Sequence, residues 1–134
     1  MGYIIKMIES DFVVRKDNFE RALESLKSVF IPENMTCKDY INGVEYPHFS
    51  WVNTKTVLES KTLEDAMMEI RYIPLYNADG DIYKLEFTGE KYGDEEVFFN
   101  ALAPYVESDS YLSFVGEDGA IWKWIFNDGK VEQI

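Results

Sequence analysis

Residues 111–134, YLSFVGEDGAIWKWIFNDGKVEQI, decide the fold class of this 134-residue chain. Three runs rich in aromatic and β-branched residues, Tyr111 to Val115, Ala120 to Phe126 and Lys130 to Ile134, alternate with two turn signals. Glu117-Asp118-Gly119 and Asn127-Asp128-Gly129 are the small, polar, glycine-bearing strings that hairpins use. The stretch therefore predicts a three-stranded antiparallel meander. Its middle run places Trp122, Trp124 and Phe126 on one face and Ile121, Lys123 and Ile125 on the other. Only one face of a two-layer sheet packs on helices. Placing the indoles inside, with at least one partly covered by residues 31–54, is the favoured orientation; the reverse exposes an aromatic stripe that would mark a binding surface.

Working outward, helical periodicity appears three times. Phe19, Ala22, Leu23, Leu26, Val29 and Phe30 form one apolar stripe, entered through Asp17 with Glu20 as a capping-box variant and stopped by Pro32. Thr62 caps a second helix with Leu63, Ala66, Met67 and Ile70 inward. A third begins at Gly93-Asp94, turns Val97, Phe98, Ala101, Leu102 and Tyr105 inward, and ends near Pro104. Further strands are predicted over Tyr3 to Ile8 with Asp11 to Arg15 (one bent strand or a tight pair), Tyr72 to Tyr76 and Ile82 to Thr88. In the last of these, Tyr83, Leu85 and Phe87 are expected on the core face. The sum is an α+β fold in two layers, an antiparallel sheet of about six strands with three helices on one face, as a single domain over residues 1–134. Residues 31–54 stand apart as an irregular aromatic-rich loop or a small hairpin insertion around Asn42-Gly43.

Composition bounds the function. Hydrophobic residues make up 46% and aromatics 16%, enough to exclude a disordered acidic tail. Asp and Glu number 25 against 13 Lys and Arg, a net charge of −12 that repels nucleic acid and anionic membranes. Residues 79–118 concentrate it: 11 acids and only Lys84 and Lys91 as bases, net −9. The single cysteine, Cys37, and the lack of a secretory leader in MGYIIKMIESDF lead to the expectation of a cytoplasmic protein.

Catalytic residue types are scarce. One His (His48) and one Cys (Cys37) do not build the common zinc or iron sites, and no Gly-x-Gly or Gly-Lys-Ser/Thr string cradles a phosphate. Asn77-x-Asp79-Gly80-x-Ile82-x-x-x-Glu86 resembles part of a calcium loop, but Leu75 stands where the first oxygen ligand belongs. A hairpin turn is the expected structure there. No cofactor or metal is expected. The leading expectation is a non-catalytic protein-binding module, in its sharper form an acidic inhibitor or immunity-type protein that meets a basic, nucleic-acid-processing partner. Asp79, Asp81, Glu90, Asp94, Glu95, Glu96, Glu117 and Asp118 are the candidate contacts, joined by Trp122 and Trp124 if the indole face is outside. The alternatives are a small carboxylate- or His48-dependent enzyme with a pocket under residues 31–54, and a structural protein self-associating through Trp122. Oligomeric state stays open.

The string at 111–131, together with Phe-Thr-Gly-Glu-Lys at 87–91, resembles small acidic proteins of gut bacteria and their mobile elements. The resemblance covers roughly the last 75 residues and implies a bacterial or phage setting. It implies no activity, cofactor or site residue.

Overall fold

The meander forms as its turns dictate. β6 (Ser110–Gly116), β7 (Ile121–Asn127) and β8 (Lys130–Gln133) pair antiparallel in sequence order. β1 (Ile5–Asp11) adds to the free edge of β6, giving a sheet ordered β1-β6-β7-β8. The computed structural model in which these elements are seen describes residues 2–134. One face of the sheet is apolar: Ile5, Leu112, Phe114, Trp124 and Phe126 are all buried. The indoles of β7 therefore face the core, and Ile121 and Lys123 face solvent.

Four short helices build the second layer. α1 (Phe19–Ser28) and α3 (Leu63–Glu69) follow the predicted stripes, and Thr62 Oγ1 accepts the Asp65 amide as an N-cap. The capping box expected at Asp17 does not form, because Asn18 is the N-cap and its side-chain oxygen accepts from Arg21 instead. α2 (Thr54–Leu58) was not anticipated; Asn53 Oδ1 accepts the Thr56 amide at its start. α4 (Glu95–Leu102) lies on the sheet, with Phe99 edge-on to Trp124 and Phe126 at 5.3 and 5.9 Å. No helix of the described residues is long and apolar enough to cross a membrane.

The fold is α+β and antiparallel, but among the described residues its eight strands divide into a four-stranded sheet and two hairpins. The first hairpin, β4 (Tyr72–Tyr76) with β5 (Ile82–Phe87), lies along the outer edge of β1. At one end Ile5 N donates to Glu90 O and Tyr92 N to Tyr3 O; at the other, Phe12 N donates to Tyr83 O, and Val14 and Ile82 exchange bonds. A bulge at Ile8 bends β1 between these points. The ladder is bridged there by a side chain. Ser10 Oγ donates to Leu85 O at 2.8 Å and accepts from Leu85 N at 3.2 Å. The six-strand surface expected from sequence thus exists as four strands plus two, joined by a buried hydroxyl.

A second irregularity reorders β5. Leu75 pairs with Lys84 but Tyr76 pairs with Ile82, so Tyr83 is the extra residue. Ile82 and Leu85 are buried while Tyr83 turns to solvent, which corrects the expected Tyr83-Leu85-Phe87 face.

Because Ser10 satisfies both polar groups of Leu85 out of contact with water, Ser10→Ala leaves a buried donor and acceptor unmet. A loss of about 1–3 kcal/mol in urea unfolding is expected. A loss below about 0.5 kcal/mol would mean that the hydroxyl does not hold the seam.

Candidate functional site

The acidic stretch was the first candidate, and the structure disperses it. Asp81 is buried in the β4–β5 turn, where it accepts from Lys16 N at 2.8 Å and meets Arg15 Nη1 at 3.4 Å. The Lys16 amide, with Arg15 and Asn77 behind it, holds this carboxyl below its usual range against the opposing effect of burial. Glu95 is 1% exposed. It accepts from Gly93 N at 2.7 Å and pairs with Arg71 Nη2 at 3.3 Å, while burial pushes its carboxyl up. Neither side chain is a surface contact. Glu95, a candidate contact on charge, lies on the stripe of Phe98, Phe99 and Leu102, three, four and seven residues on.

Three further acids are tied to neighbouring backbone. Glu117 Oε1 accepts from Ile4 N. Asp118 accepts from the Tyr3 hydroxyl and from Ala120 N, contacts that lower its carboxyl. Asp94 grips both ends of one segment: Thr36 Oγ1 donates to Oδ1 at 2.9 Å and Ser50 N to Oδ2 at 2.8 Å. Asp79, Glu90 and Glu96, in the 77–81 turn, before α4 and on α4, are exposed, as are Glu117 and Asp118 despite their contacts. Trp122 and Trp124 are also withdrawn from the surface. Trp124 is buried, and Trp122 stacks on Phe114 at 6.0 Å and tilts against Tyr3 at 6.2 Å. The cover over Trp122 comes from Tyr3 and from Tyr92 at 6.1 Å, not from residues 31–54. Burial, with Glu95, Glu96 and Asp94 nearby, pushes the Tyr92 hydroxyl up to about 12.

What Asp94 grips is the second hairpin, β2 (Cys37–Ile41) with β3 (Val44–His48). Asn42 and Gly43 close it at φ 52° and 79°, a turn that needs two left-handed residues. Phe49, just past β3, anchors it in the core between Phe30 and Phe98, with ring centroids 5.0 Å away in both cases. Beyond this base the hairpin projects. Tyr40 is 67% exposed, Ile41 57%, Val44 52% and Tyr46 49%, and Trp51 beside the base is 51% exposed.

Pairing assigns these side chains to faces. Cys37, Asp39 and Ile41 share one face with His48, Tyr46 and Val44; Lys38 and Tyr40 share the other with Pro47 and Glu45. The second face is closed on itself, since Glu45 Oε1 takes Lys38 Nζ at 3.4 Å and the Tyr40 hydroxyl at 3.3 Å. The first carries apolar Ile41, Val44 and Tyr46 at its tip and descends to Asp39, His48 and Trp51. These last residues, with Tyr46 and Glu69, line a cleft of about 560 Å³.

The edges of the hairpin are blunted. In a two-residue turn the closing pair Ile41–Val44 is hydrogen-bonded, so alternation points the backbone groups of Lys38, Tyr40, Glu45 and Pro47 outward. Pro47 has no N–H to offer on the β3 side, and Lys38 guards the β2 side. Strand addition is disfavoured at both edges, and the Ile41–Val44–Tyr46 face is exposed.

His48 lies within this cleft but is engaged. Its Nδ1 is 2.8 Å from Phe49 O and its Nε2 3.4 Å from Asp39 Oδ2. The Cys37 thiol lies 3.2 Å from Ser50 Oγ and 3.8 Å from Thr36 Oγ1. Asn42-Gly43 between Ile41 and Val44 is the sequence signal for this hairpin, although its flanks alternate poorly. It did not show that residues 37–46 would stand clear of the body.

Glu95→Ala strands the Arg71 guanidinium in the interior and is expected to cost about 3–5 kcal/mol, whereas Arg71→Met with Glu95→Leu recovers most of it. Equal losses in the single and double variants, read by urea unfolding, would contradict the pairing. Asp81 has a lowered folded pKa, so its stabilisation is present above an unfolded value of about 4 and lost as pH falls through the folded one. Asp81→Asn should therefore flatten the acid limb of melting temperature against pH below about pH 4; an unchanged slope would contradict this.

Set beside known proteins, the chain matches no family model, no curated protein and no solved structure.

Proposed function

We infer that the protein is a non-catalytic binding module that docks a protein partner on the Ile41–Val44–Tyr46 face of the β2–β3 hairpin. One observation carries this reading: a clamped hairpin with blunted edges holds four large apolar side chains, Ile41, Val44, Tyr46 and Trp51, about half exposed. An isolated two-stranded hairpin is marginal in water, and apolar side chains projecting on one are stabilised when a partner covers them. The partner has a basic surface, because a net charge of −12 accelerates encounter with cationic proteins and repels anionic ones. In its finer form this is an inhibitor- or immunity-type protein whose hairpin enters a cleft of a nucleic-acid-processing partner.

A second reading rests on the Asp39–His48 contact inside the cleft: a small hydrolase using His48 as base. Geometry favours the first reading. No hydrogen bond joins His48 to Cys37 or to a serine among the described residues, so it has no paired nucleophile there.

The test uses the full chain as bait in an extract of its source cells, beside the variant Ile41→Ser/Val44→Ser/Tyr46→Ser. These side chains lie outside the core, so the variant's melting temperature should fall by no more than a few degrees. A protein with a basic surface is expected on the wild type, released as salt rises from about 50 to 500 mM and bound at least tenfold more weakly by the variant. Equal retention by the variant, or an acidic protein insensitive to salt, would overturn the reading.

A further inference from the structure

The cleft at the inner end of the hairpin face combines features that the docking surface alone does not require. Its walls include two half-exposed aromatic rings, Tyr46 and Trp51, and two carboxylates, Asp39 and Glu69. The one lysine lining it, Lys55, lies 3.9 Å from Glu59. Trp51 has an unusual backbone conformation. Its φ of 65° lies in the left-handed region, which bulky residues rarely adopt. Behind it, Gly93 leaves the room the indole needs, since a Cβ there would sit 3.2 Å from Trp51 Cδ1 and 2.6 Å from Arg71 Nη2. The ring already serves a cation: Lys91 Nζ lies 5.8 Å from its centroid. Trp51 also lines the neighbouring cleft with Arg71, Glu90 and Lys91, so the indole belongs to the walls of both.

We propose that the Tyr46–Trp51–Asp39–Glu69 cleft receives an arginine or lysine side chain of the basic protein partner, the aromatic rings stacking on the cation and the carboxylates pairing with it. The inference deepens the proposed function and rests on it for the identity of the partner as a basic protein. The chemistry is that of a cation over an aromatic face with an anion at the rim. A planar guanidinium fits both parts at once, stacking flat on the indole while its N–H groups fork to Asp39. The approach is favoured by charge, since the exposed Asp39 carboxylate, 3.4 Å from His48, shares the recess with Glu69, whose Oε2 accepts from Asn53 N at 3.0 Å.

The three tryptophans give a direct readout. In the ¹⁵N-labelled full chain, each indole N–H is a separate resonance, and only Trp51 is exposed. The probe is an acetylated, amidated peptide of alternating glycine and arginine; the control replaces each arginine with citrulline, its neutral isostere. Saturable movement of the Trp51 indole with Trp122 and Trp124 unmoved is expected, with no response to the citrulline peptide. Asp39→Asn/Glu69→Gln should weaken the arginine peptide roughly tenfold while leaving the rest of the spectrum in place, and Trp51→Ala should abolish movement of the Asp39 and Tyr46 amides. Equal response to citrulline, no movement of Trp51, or unchanged affinity in the double carboxamide variant would each overturn the proposal. Failure here with the triple serine variant still losing its partner would discard the cation site and keep the hairpin face. Success here with the triple variant still binding would do the reverse.

Discussion

The buried pair between Arg71 and Glu95 is the constraint around which this structure is arranged. Arg71 ends α3 in a left-handed conformation (φ 79°) and sends its guanidinium beneath residues 89–95. There Nη1 donates to Lys91 O at 2.7 Å, Nη2 reaches Glu95, and the carbon at its centre lies 5.2 Å from the Phe87 ring centroid. Gly89 and Gly93 give it space, since a Cβ at Gly89 would lie 2.7 Å from Nη1. Taking both charges out of water is costly, and only mutual attraction with added hydrogen bonds offsets that cost. The fold supplies them: Gly93 N to the carboxylate and the Lys91 carbonyl to the guanidinium.

Once residues 89–95 are fixed, much else follows by contact. Glu90 O and Tyr92 N tie the segment to Ile5 and Tyr3 on β1, and so to the four-stranded sheet. Asp94, adjacent to the buried glutamate, clamps Thr36 and Ser50 and thereby both ends of the β2–β3 hairpin. Gly93 backs the Trp51 indole. Of the acids of this stretch, Asp81 and Glu95 are buried ties and Asp94 clamps the hairpin, while Asp79, Glu90, Glu96, Glu117 and Asp118 stay exposed. On the reading we propose, the charge acts as a long-range field and contact falls to the hairpin that Asp94 secures.

How much of this was legible in the chain depended on how local the determining physics was. The meander was readable because Gly119 and Asp128-Gly129 fix turn geometry within four residues, and the α1 and α3 stripes because periodicity is local. The resolution of the indole question was nearly so, since a two-layer sheet hides one face and Trp124 with Phe126 outweigh Ile121 and Lys123. What escaped was non-local. The bulges at Ile8 and Tyr83 answer to register against partner strands, so neither the divided sheet nor the reversal of Tyr83 could be read from alternation. Glu95 shared a helix face with Phe98 and Phe99, a visible clue, but its cation is 24 residues away in Arg71. Asn42-Gly43 announced a hairpin, and nothing in its flanks indicated that the chain would leave it uncovered.

In the proposed account the field is set by the whole chain and the contact by residues 37–51. The most direct test is amide hydrogen exchange of the full chain, free and saturated with the partner it captures. The account predicts added protection concentrated at residues 37–51, the outward amides of Lys38 and Tyr40 and the backbone around Trp51 included, with residues 77–81 and 117–120 unchanged. Protection centred on those acidic turns, or on the outer face of β7 at Ile121 and Lys123, with the hairpin left as it is in the free chain, would contradict it.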